Sequence, residues 1–105
     1  MQYTYLMRIT ITPSARQHGI TGDEIRTVLA YFALRISLPA KREGAVLFLH
    51  IGPAAANAPY IEVLADMADE DEAVVFHAMM LRRSLVNNLG IAELLGDITY
   101  APQRK

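Results

Sequence analysis

Residues Leu34 to Met79 read LRISLPAKREGAVLFLHIGPAAANAPYIEVLADMADEDEAVVFHAM, and the rhythm of this stretch decides the fold. Leu34, Ile36 and Leu38 alternate with Arg35 and Ser37 as far as Pro39, the pattern of an edge strand stopped by proline. Arg42-Glu43-Gly44 supplies a turn. Ala45 to Ile51 follows, apolar on both faces apart from His50, as a strand in the middle of a covered sheet must be. Gly52 to Pro59 is a loop of small residues and prolines. Tyr60 to Asp66 and Ala73 to Met79 are two further strands, separated by the solvated acidic turn Asp69-Glu70-Asp71-Glu72. Short connections of this kind join antiparallel neighbours.

Upstream of this run, Tyr3 to Thr12 alternates Tyr3, Tyr5, Met7, Ile9 and Ile11 with polar neighbours and predicts a half-buried strand ended by Pro13-Ser14. Ala15 to Gly19 has room for one helical turn closed by Gly19. Thr21-Gly22-Asp23-Glu24 is a capping box, in which the Thr21 hydroxyl accepts from the Glu24 amide and the Glu24 carboxylate reaches back. The apolar stripe Ile25, Val28, Leu29 and Phe32 then predicts a helix over about residues 22–32. Downstream, Leu81, Leu85 and Leu89 predict a short helix stopped by Gly90, followed by a turn at Ala92 to Leu95 and a short strand at Ile98 to Tyr100. The expected architecture is one α+β domain over residues 1–105, an antiparallel sheet of four to five strands with a mixed edge and helices packed on it.

Composition narrows the function. The 105 residues carry a net charge of -1 and are 52% hydrophobic, which excludes a disordered chain and a generally basic nucleic-acid binder. The charge is nonetheless two-sided, +3 through His50 and -4 after it, so a local basic surface is compatible with the neutral total. The chain has no cysteine, which removes disulfides, thiolate metal sites and cysteine nucleophiles and fits a reducing compartment. The opening MQYTYLMRIT has no basic leader region, and no stretch approaches the roughly 18 apolar residues of a membrane span, so a cytoplasmic protein with no membrane association is expected.

His18, His50 and His77 have no metal-ligand spacing, and the six glycines form no phosphate loop, so neither metal nor cofactor is expected. The informative group is His77 at the end of a strand with Arg82 and Arg83 at the start of the next helix. Two guanidiniums and an imidazole from one strand–helix junction can bind a phosphate and assist attack by a 2′-hydroxyl. The alternative for the same residues is a solvated helix face and a satisfied sheet histidine. His18, beside Gly19, reads as a turn residue, and His50 as a structural one unless strand pairing brings it to His77. Tyr3 and Tyr5 share a face with Met7 and Ile9 and suit core packing better than base stacking.

Two stretches carry a family resemblance. Arg16-Gln17-His18-Gly19-Ile20-Thr21-Gly22-Asp23-Glu24-Ile25, and then Phe48-Leu49-His50-Ile51-Gly52-Pro53 with Tyr60-Ile61-Glu62-Val63-Leu64 and Val74-Val75-Phe76-His77-Ala78 ahead of Arg82-Arg83, resemble the BrnT-type toxins of the RelE/ParE-like group over about residues 14–90. The resemblance implies a growth-arresting toxin that cuts RNA and is neutralised by a cognate antitoxin. It implies RNA contact or catalysis by Arg83 with Arg82 beside it. Read from the residues, the expected catalytic set is His77 as acid or base with Arg82 and Arg83 as phosphate ligands, and Arg8, Arg16 and His18 are the expected RNA contacts. His77 stands where the family often has serine, Met79 where a basic residue is common, and Gln17 where lysine is usual. Two other readings stay open: a non-catalytic protein-binding module or degenerate toxin-fold protein, and a toxin acting on a protein target such as a topoisomerase.

Overall fold

The computed structural model describes residues 7–104. Five strands, β1 (Arg8–Ile11), β2 (Leu34–Leu38), β3 (Leu47–Pro53), β4 (Tyr60–Asp66) and β5 (Glu72–Met80), form one sheet in the order β1-β5-β4-β3-β2. The run from β2 to β5 is an antiparallel meander, and β1 joins its far edge parallel to β5. The N-terminal part of the expected first strand, Tyr3 to Leu6, lies outside the described residues.

Alternation along β4 sorts the molecule into two cores. Ile61, Val63 and Ala65 face helix α1 (Gly22–Ala30) and pack with its Ile25 and Val28 and with Val75 and Ala78 of β5. On the opposite face, Leu49 and Ile51 of β3 pack with Leu81 and with Val86 of helix α2 (Arg83–Leu89), and Ile91 closes that core before the short helix α3 (Ala92–Leu95). The capping box is present in full: Thr21 Oγ1 accepts from the Glu24 amide at 3.1 Å, and Glu24 accepts from the Thr21 amide at 2.9 Å. Gly90 ends α2 in the left-handed region.

Helix α1 ends at Ala30, so Phe32 is 40% exposed and does not complete the expected apolar stripe. The constraint is the entry into β2, where the Ala33 amide donates to the Ile51 carbonyl and the chain presses on β3 at Gly52. A Cβ at Gly52 would sit 3.0 Å from the Ala33 nitrogen and 3.2 Å from the Phe32 Cα, so any larger residue would push this backbone away. β3 starts at Leu47 and leaves Ala45 and Val46 outside the strand, because Asp66 holds the turn: its carboxylate accepts from the Val46 and Ala68 amides and from Arg42.

The expected strand at Ile98 to Tyr100 does not form. The tail is fixed instead by side chains, with the Gln103 amide bonding both the nitrogen and the oxygen of Met80 and Arg104 gripping the Glu24 carboxylate and the Gly19 carbonyl. Among the described residues, no helix is long and apolar enough to cross a membrane.

The Arg104 guanidinium, against a smaller opposing effect of burial, holds the Glu24 carboxyl at about 2 instead of its ordinary 4.5. A depressed carboxylate stabilises the fold above its unfolded value and loses that contribution as pH falls through the folded one. Arg104→Ala should therefore lower the thermal midpoint at neutral pH, with the difference from wild type shrinking between about pH 4.5 and pH 2. Thermal unfolding of both proteins across that range checks it.

Candidate active site

The site grows from an irregularity in β5. Ala65 of β4 pairs with Val75, but Leu64 pairs with His77, so a bulge at Phe76 takes up one residue. Without it, alternation would turn His77 to the α1 face; with it, His77 shares the α2 face with Leu64 and Glu62. The 3₁₀ turn Pro13–Arg16 is stitched to the same place by Ser14 Oγ, which donates to the Phe76 carbonyl at 2.7 Å. That stitch delivers His18, whose ring meets the His77 ring edge-on with centroids 6.0 Å apart.

Glu62 is the hub. Its side chain is wholly buried, and four N–H groups point at it. Oε2 lies 2.8 Å from His77 Nε2 and 2.8 Å from an Arg82 Nη, while Oε1 accepts from the Arg82 backbone amide at 2.9 Å. Arg82 Nε reaches both oxygens at 3.2 Å, completing a two-pronged grip. Burial alone would raise the Glu62 pKa, but the bonds from His77 and Arg82 outweigh it and leave the carboxyl below its ordinary value. Ionised Glu62 only accepts, so His77 Nε2 must donate, which leaves the lone pair of a neutral ring on Nδ1, the arrangement a general base requires.

The six residues singled out from the sequence divide. His77, Arg82 and His18 come together around Glu62. Arg83 does not reach Glu62; its guanidinium lies 4.2 Å over the Tyr100 ring. Arg16 is exposed at the end of the 3₁₀ turn, close in chain to His18. Arg8 sits level with Glu72 at the other end of β5, 3.6 Å from Glu72 and 3.8 Å from Asp69, about 15 Å along the strand from His77.

His50 faces the α1 side in register with Val63 and Ala78, so it is separated from His77 by the sheet itself. Burial, aided by the nearby Arg35 charge, pushes its pKa down to about 4. Glu62 was present in the sequence only as a strand residue within a family-like stretch. Its signal was a single carboxylate in the apolar run Tyr60 to Ala65, a residue type that stays buried only when paired.

Among the described residues no group of three histidine, aspartate or glutamate side chains is placed to hold a metal ion. No family model, curated protein or solved structure matches the chain.

The two partners of the ion pair are unequally placed, since Glu62 is fully buried and the Arg82 side chain is 40% exposed. Arg82→Leu removes the counter-ion of a buried carboxylate, leaving it only His77 and the residue-82 amide, and should cost about 3–5 kcal/mol. Glu62→Gln keeps an acceptor and lets Arg82 turn to water, so it should cost less, about 1–2 kcal/mol. Denaturant unfolding of the two variants tests the order; an equal or reversed order would refute the burial argument.

Proposed function

We propose that this protein is the toxin of a type II toxin–antitoxin pair, a metal-independent endoribonuclease of BrnT type that acts in the cytoplasm and is silenced by a cognate antitoxin. The observation that carries this reading is His77, held by Glu62 through Nε2 with a second imidazole, His18, in ring contact. In the proposed reaction His77 Nδ1 takes the proton of an RNA 2′-hydroxyl, whose oxygen bonds to the adjacent phosphorus. The bond from phosphorus to the 5′-oxygen breaks, protonated His18 donates to that leaving oxygen, and a 2′,3′-cyclic phosphate remains. N–H groups of Arg82 not taken by Glu62 offer charge to the phosphorane, and exposed Arg16 and Arg83 offer positive charge for the flanking backbone.

A second reading, a non-catalytic protein-binding module, draws on the charge pairing. Glu62 neutralises Arg82, and Asp69 and Glu72 neutralise Arg8, which removes two of the cations expected to hold phosphate.

The test uses the two histidines, because loss of Arg82 confounds chemistry with stability. Bacterial growth under controlled induction should arrest with wild type and not with His77→Ala or His18→Ala at matched soluble levels. Purified wild type should cut RNA to cyclic-phosphate ends in the presence of a chelator, with each variant slower by about 10²–10⁴-fold. Undiminished cleavage by folded His77→Ala would sink the catalytic assignment, and a wild type that neither arrests growth nor cuts RNA would favour the binding module.

A further inference from the structure

β2 closes one side of the sheet, and its outer edge is open. Among the described residues, Leu34 to Leu38 make no backbone hydrogen bonds except to β3. An open edge invites pairing with another chain, and proteins that stay monomeric usually blunt theirs with charged side chains, above all lysine, or with proline or a bulge; here the one charge is Arg35, and Pro39 stands just past the strand end. Within its five residues β2 has no lysine, proline or bulge.

The sequence of this edge is close to a palindrome. If two copies of Leu34-Arg35-Ile36-Ser37-Leu38 run antiparallel about a twofold axis at Ile36, Leu34 faces Leu38, Ile36 faces itself and Arg35 faces Ser37. Like side chains meet on the apolar face, and the two arginines stand diagonal to each other rather than directly opposite, where like charges destabilise a strand pair most. Arg35 already lies flat, 4.0 Å over the Phe48 ring, with its sulfur contact to Met67 and no carboxylate partner among the described residues.

Two exposed aromatic side chains flank the strand. Tyr31, 78% exposed, and Phe32, 40% exposed, lie just before β2.

We infer that the protein forms a twofold-symmetric homodimer through β2, which joins the two sheets into one of ten strands. The inference is independent of the ribonuclease reading, since β2 lies at the opposite side of the sheet from β1 and His18.

Sedimentation equilibrium of the full chain across a wide concentration range tests it. Wild type should move from the 11.7 kDa protomer toward twice that mass as concentration rises. Ser37→Arg, at an exposed position, sets arginine against Arg35 twice over and should weaken dimerisation at least about fivefold. Ser37→Asp creates two cross-strand ion pairs and should tighten it. A wild type that stays monomeric overturns the proposal, and so does a Ser37→Arg protein, folded by circular dichroism, that dimerises as tightly as wild type.

Discussion

The arrangement of this molecule turns on one buried carboxylate. Glu62 sits in the middle strand of the sheet with no exposed surface, and an unpaired charge there would be untenable. Four N–H groups from two elements answer it, and their positions dictate much else. The Arg82 backbone must stay extended to aim its amide at Oε1, so α2 begins one residue later, at Arg83. β5 must bulge at Phe76 to bring His77 to the same face. The carboxylate thus ties β4, β5 and the start of α2 into one rigid corner.

That corner carries stability, and the proposed chemistry draws on the same side chains. The bond that settles His77 into one tautomer is part of the set that keeps Glu62 ionised, and Arg82 is the counter-ion on the same carboxylate. A single substitution there perturbs folding and reactivity together, so the more peripheral His18 is the cleaner probe of reactivity. The two-sided charge of the chain has a related local expression: acidic side chains of the second half meet first-half cations at Arg8–Glu72 and Arg42–Asp66.

Most of the secondary structure was legible because it rests on local physics. The alternation in Leu34 to Leu38, the limits of Tyr60 to Asp66, the Thr21–Glu24 box and the stop at Gly90 are each set by a few adjacent residues. What escaped was set by contacts distant in sequence. Phe32 fits the helical stripe but is drawn out of it by the approach of Ala33 to β3. Ile98 to Tyr100 has strand-like residues, yet the tail is anchored by Gln103 and Arg104 to groups far upstream. At the site, His77 and Arg82 were visible as neighbours in the chain, whereas the bulge that aims the histidine and the carboxylate that binds both were not. A bulge is a mismatch between two strands, and neither strand shows it alone.

The parallel pairing of β1 with β5 has a consequence for the order of assembly. Each other strand of the sheet pairs with a strand adjacent in the chain, so the meander can grow hairpin by hairpin at small entropic cost. β1 has to wait, because Arg8 pairs with Glu72 and about two thirds of the chain must be made before that partner exists. The first strand to leave the ribosome is therefore the last to be seated. Since the 3₁₀ turn and His18 follow directly behind it, the two-histidine corner is completed only when the rest of the sheet is already in place.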